Sequence, residues 1–178
     1  MPQLRAAMIA VTVVVLAGCQ SMKDAGNAVF GGSTGPAVGG MFVPLGGSAI
    51  EGSVVFQRRE GGVTLVVQVN GAAPGVYRVA VHATGNCSSR NGFSAGAPWA
   101  PPGRPPLVVT LATNSEGTAT LSTRIAGVAV DGPDGILGRA VIIHAGAAGS
   151  LDAQPGVPNQ RIACAVIGTP QSLFDPLK

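Results

Sequence analysis

Residues 61–71 read GGVTLVVQVNG, and the faces their side chains take decide the class of fold. Val63, Leu65, Val67 and Val69 share one parity, while Thr64, Gln68 and Asn70 break up the other. A period of two sends successive side chains to opposite faces, so this stretch is a half-buried β-strand. Residues 50–57 read as the strand before it, with Arg58, Arg59, Glu60, Gly61 and Gly62 around the turn.

The same pattern continues toward the C-terminus. Residues 107–111 (LVVTL) and 118–125 (TATLSTRI) flank Ala112-Thr113-Asn114-Ser115-Glu116-Gly117 and read as a hairpin. Residues 136–145 and 161–168 are again strand-like and bounded by Gly and Pro. Seven or so short strands without a convincing amphipathic helix predict an all-β antiparallel sandwich or barrel. Composition agrees: 27 glycines and 14 prolines in 178 residues, with only 4% aromatics, favour short strands and many turns. The length suits one domain with a sizeable core, spanning residues 49–170, followed by a tail over 171–178. Residues 93–106 (FSAGAPWAPPGRPP) carry five prolines and predict a stiff surface loop, with Trp99 packing it down. A Pro-rich docking site for an aromatic groove is the alternative for that loop.

Residues 1–18 combine Arg5, an apolar run from Ala6 to Leu16, and small residues before Cys19. This is an export signal, too short to span a bilayer comfortably. Leu16-Ala17-Gly18-Cys19 looks like a bacterial lipobox, which implies cleavage before Cys19 and acylation of its thiol and new amine. The mature protein is then lipid-anchored in the envelope without a transmembrane helix. Gln20 after the cysteine implies the outer membrane, with the domain facing the periplasm. Residues 20–48 are Gly-rich and lack a sustained period, which predicts a tether of roughly 27–32 Å r.m.s. span.

Once Cys19 is lipidated, Cys87 and Cys164 remain. An even pair in an oxidising space predicts a disulfide, with two buried free thiols as the alternative. The formal charge of +3 comes from arginines and lysines scattered mostly singly along the chain. That pattern makes no basic stripe, so a nucleic-acid partner is not expected.

Four segments, taken in order, resemble the copper/zinc superoxide dismutase family. They are residues 74–82 (PGVYRVAVH), 85–88 (GNCS), 138–144 (GRAVIIH) and 161–168 (RIACAVIG). The resemblance covers roughly residues 49–169 and implies an eight-stranded Greek-key β-barrel or sandwich, with Cys87 and Cys164 joining a long loop to the last strand. It also implies a site from which most ligands are missing. Family members hold copper with four histidines and zinc with three histidines and an aspartate, one histidine bridging both metals. His82 and His144 match two copper ligands, and Arg161 matches the arginine that draws superoxide toward copper. Ala80 stands where a third copper histidine belongs, and Pro98 where the bridging histidine does. Arg104 and Leu107 fall near the zinc positions, and no His or Asp occurs between Pro98 and Leu107, so zinc is not expected. Gly146, Ala147, Ala148 and Gly149 occupy a stretch that is acidic in many members.

Two imidazoles supply half of the tetragonal set that Cu(II) prefers, although Cu(I) accepts two. If the ring nitrogens lie within ~4 Å, both can reach one ion at ~2 Å each. Two functions follow as expectations. The first is an envelope lipoprotein that serves as a non-catalytic binding or structural module for an unidentified protein partner. The alternative is a copper-binding redox or copper-holding protein using His82 and His144. Pairing of two copies as a homodimer is left open.

Overall fold

In the computed structural model, residues 35–146 and 160–170 are described, and the period-two pattern is realised through them as nine strands. These are β1 (Val38–Met41), β2 (Val43–Pro44), β3 (Glu51–Arg59), β4 (Gly62–Asn70), β5 (Gly75–His82), β6 (Val108–Thr113), β7 (Ala119–Ala126), β8 (Ala140–Ala145) and β9 (Arg161–Val166). They build a four-stranded sheet in the order β1-β3-β4-β7 and a five-stranded sheet in the order β2-β9-β8-β5-β6. All named pairs are antiparallel. β1 and β2 are one run of chain bent at Phe42, which passes from the first sheet to the second. Counting that run once gives the eight strands the resemblance implies. The expected lipid site Cys19, the signal peptide and the tail over 171–178 lie outside the described residues.

Register explains the core. Val54 faces Val67 and Phe56 faces Leu65 across β3 and β4, and all four are buried. Val79 and Val81 of β5, with Val141 and Ile143 of β8, meet them from the other sheet in one apolar cluster. Alternation is clean in β7, where half-buried Ala119, Leu121, Thr123 and Ile125 alternate with exposed residues. It is lost in β5 and β8, where runs of consecutive residues are buried. The reason is a second cluster, Leu45, Ala95, Ala140, Ile142 and Cys164, packed on the outer face of the five-stranded sheet. The loop from residue 83 to 107 covers that face. It is fastened by backbone bonds from Thr84 to Ala95, from Trp99 to Val81 and from Leu107 to Trp99.

Two expectations are corrected. Residues 38–48 are not tether: β1 and β2 lie within them, and Phe42, Leu45 and the adjoining Val38 are buried. Gly39 and Gly40 look flexible by composition but serve close packing. A Cβ on Gly39 would stand 2.1 Å from the Val54 carbonyl oxygen, and one on Gly40 2.2 Å from that of Val166. Only a residue without a side chain fits there, so Gly40→Ala is expected to lower stability by about 2 kcal/mol, the usual cost of overpacking. A lower urea midpoint with an unchanged slope checks this.

The second correction concerns residues 107–125, which are not a hairpin. β6 pairs with β5 and β7 pairs with β4, so the turn at Asn114–Gly117 carries the chain between sheets. Alternation reports which face of a strand is buried, and it says nothing about which strand lies alongside.

Candidate functional site

The last residue of β5 and the fifth of β8 place His82 and His144 on the covered outer face of the five-stranded sheet. In register His82 lies opposite Ala140 and His144 opposite Arg78, so the two are offset along the strands. Ala80 and Ile142 are paired midway between them on the same face. The small side chain at Ala80 leaves room for the rings to lean toward each other. Their centroids are 5.2 Å apart with 22° between planes, and both residues are fully buried.

Hydrogen bonding assigns the tautomers. His82 Nδ1 lies 2.9 Å from the Gly96 carbonyl oxygen, which can only accept, so Nδ1 carries the proton. Neutral His82 then has a lone pair on Nε2. His144 Nε2, 3.0 Å away, is the donor to it. The two ε-nitrogens therefore satisfy each other, and neither residue has exposed surface.

Arg161 follows the irregularity where β8 passes His144 and is 6% exposed. Its Nη1 donates to the Gly92 carbonyl oxygen at 2.7 Å, and its guanidinium lies 5.0 Å from the centre of the Phe93 ring. Gly92 sits at φ 72°, a left-handed conformation that favours glycine, and a Cβ there would come within 3.1 Å of Arg161. The arginine is thus clamped beneath the covering loop. Pro98 forms an isolated bridge with His82, so loop backbone packs directly on the end of the strand. Trp99 does pack that loop: it is 9% exposed, and Arg139 stacks at 4.4 Å from its ring centre.

Cys87 and Cys164 are joined in a disulfide with Cα atoms 5.8 Å apart, so the alternative of free thiols is set aside. It fastens the covering loop to β9. It also removes both thiolates from the list of metal donors.

The fit to copper turns on donor number and spacing. The ring nitrogens, at 3.0 Å, are within reach of one ion. A linear Cu(I) pair with bonds of about 2 Å needs them about 4 Å apart. A tetragonal ion needs four donors. The chain has two histidines in all, and no group of three His, Cys, Asp or Glu gathers among the described residues. Among the described residues no four-donor copper or copper–zinc centre is gathered, and the two ε-nitrogens face each other.

The sequence reading picked out His82, His144 and Arg161 through the family resemblance, and the structure buries all three beneath one covering loop. That reading missed the carbonyls of Gly92 and Gly96 that hold them. No signal in the sequence marks these carbonyls, because both are backbone atoms placed by a loop conformation in which Gly92 and Gly96 take positive φ.

Comparison with known proteins agrees with this architecture. The family model described as "Copper/zinc superoxide dismutase (SODC)" matches residues 50–167. Superoxide dismutase [Cu-Zn] 2 of Brassica juncea is 29% identical over 147 residues, covering 72% of this chain and 96% of that protein. Superoxide dismutase [Cu-Zn] 2 of Mesembryanthemum crystallinum is 28% identical over 147 residues, covering 72% and 93%. Among solved structures, the clock protein EA4 superposes with a TM-score of 0.61 at 23% identity, covering 78% of this chain and 98% of that one. The family match runs through every strand from β3 to β9, and the chain belongs to the copper/zinc superoxide dismutase family.

Proposed function

We propose that this chain is a non-catalytic member of the family, a lipoprotein held by acyl chains on Cys19 in the bacterial outer membrane and facing the periplasm. Its domain serves there as a binding or structural module. One observation carries the reading. At the two positions that match copper ligands, His82 and His144 hydrogen-bond to each other through their ε-nitrogens at 3.0 Å, fully buried. Dismutation needs a metal with an open face for the anion. Here the matching arginine is engaged by the Gly92 carbonyl beneath a loop. The disulfide supports export, since such bonds persist in oxidising compartments.

The test is superoxide decay measured by stopped flow after the purified protein has been loaded with copper and zinc. Decay no faster than the chelated control is expected; a rapid, stoichiometric acceleration lost in His144→Ala would sink the reading. The mass of the N-terminal peptide tests the anchor independently, and an unmodified Cys19 would overturn it.

A second reading, copper holding, is favoured by the convergence of the two ring nitrogens and by the Gly96 carbonyl, which leaves the His82 lone pair on Nε2. Competition with a Cu(I) chelator separates the two. One equivalent retained by the parent and lost in both His82→Ala and His144→Ala supports copper holding, and none retained supports the first reading.

A further inference from the structure

Arginines that stand far apart in sequence meet at one end of the domain, where the β3–β4 turn lies beside the end of β7. Arg58 and Arg59 close β3, and Arg124 lies on β7 and donates to the Glu60 carbonyl oxygen at 2.6 Å. Arg104 reaches from the Pro-rich loop to the Ala126 carbonyl oxygen. Arg104 and Arg124 are exposed and Arg59 is half-exposed. The Arg104 and Arg124 bonds go to backbone carbonyls, and the Arg59 bonds go to the Arg58 carbonyl and the Gln57 amide. Those acceptors orient the guanidinium groups without cancelling their charge. Among the described residues the one ion pair at this end is that of Arg58 with Asp131, whose hydrogen bond raises the arginine's pKa and lowers that of the acid. Glu60, exposed in the β3–β4 turn, is a further carboxylate there. Two open clefts of about 430 and 250 Å³ lie on either side of Val128 and are rimmed by these arginines. Glu51 and Glu116 sit at the opposite end, by the far ends of β4 and β7.

The chain enters the domain at the arginine end. Arg58 Nε donates to the Pro36 carbonyl oxygen at 3.1 Å, and a Cβ on Gly35 would touch the Arg58 side chain. Fifteen residues, 20–34, separate Gly35 from Cys19, at most about 50 Å of extended chain. Charge that acts on a membrane must come within the Debye length, about 8 Å at physiological salt. A short leash attached beside the arginines raises the frequency of such encounters at this end above all others.

From this placement we propose that the end formed by Arg58, Arg59, Arg104 and Arg124 docks on an anionic lipid surface, its clefts receiving phosphate headgroups. The proposal rests on the reading of Cys19 as the lipid anchor, because the leash is what selects a membrane over an acidic protein. Docking orients the barrel with the Glu116 end away from the bilayer.

The experiment uses the chain from Gln20, without acyl groups. All nine strands lie within residues 35–170, in the compact unit Gly32–Lys178, so this chain keeps the whole fold. Partition onto vesicles of equal phosphatidylglycerol and phosphatidylcholine is compared with pure phosphatidylcholine. Partition onto the anionic vesicles alone is expected, weakening as salt rises. Arg59→Gln, Arg104→Gln and Arg124→Gln should each lower the partition coefficient about fivefold, the scale for one basic residue at an anionic surface. Asp131→Asn should raise it, while Arg90→Gln, elsewhere on the domain, should leave it unchanged. Equal binding to both vesicles, no loss in the triple variant, or an equal loss in Arg90→Gln overturns the proposal. Because this chain lacks Cys19, its failure is separate from failure of the anchor, which the peptide mass decides.

Discussion

Removing the Cys87–Cys164 disulfide, as Cys87→Ser with Cys164→Ala, is expected to lower stability by about 4.5 kcal/mol. The two cysteines are 77 positions apart, and opening a loop of that length returns this much chain entropy to the unfolded state. For a domain of this size the midpoint of thermal unfolding falls by about 15 °C. The effect has a native-state part as well. Cys164 is fully buried in the outer cluster, and Cys87 packs against it from the loop. Without the bond, the loop that supplies the Gly92 and Gly96 carbonyls to Arg161 and His82 loses its covalent attachment to β9. Hydrogen exchange at Thr84 and Ala83, whose amides bond within that loop, should quicken more than at Val67 in the core. Calorimetry and exchange on the oxidised and variant proteins check both parts. A midpoint change under about 3 °C would mean that packing alone fixes the loop.

What the sequence disclosed follows from what side-chain identity encodes. Val63, Leu65, Val67 and Val69 announce their strand because burial of one face writes a period of two into residue type. Pairing leaves no such mark, which is why β6 and β7 read as neighbours although they belong to different sheets. Gly39 and Gly40 point the wrong way, since an absent side chain looks the same whether it gives freedom or permits contact. Histidines 82 and 144 and Arg161 are legible as a group only through the family resemblance. Their partners are not legible at all: the Gly92 and Gly96 carbonyls are backbone atoms that every residue possesses, placed by loop conformation. The arginine end was equally hidden, because residues 58, 59, 104 and 124 become neighbours only after β3, β7 and the Pro-rich loop meet.

In protein kept free of metal by a chelator, His82→Ala is expected to cost about 3–4 kcal/mol. The substitution opens a cavity in a fully buried site and strands two polar groups, the Gly96 carbonyl and the His144 Nε2 proton. Each stranded group accounts for about 1–3 kcal/mol, and the cavity adds to this. His144→Ala should cost about 2 kcal/mol, because His82 keeps its bond to Gly96 while its Nε2 lone pair is left facing the gap. In the double variant the His144 proton is gone, so that part of the His82 penalty is not incurred twice. A coupling energy of about 1–2 kcal/mol is therefore expected from denaturant unfolding of the four proteins in the cycle. This separates a pair that holds the fold from a pair kept for an ion. Side chains retained only as ligands are commonly neutral or destabilising when the ion is absent, so a chelated cycle with losses under about 0.5 kcal/mol would overturn the structural role. In that event a stabilising shift on adding Cu(I), present in the parent and absent from both single variants, assigns the pair to copper.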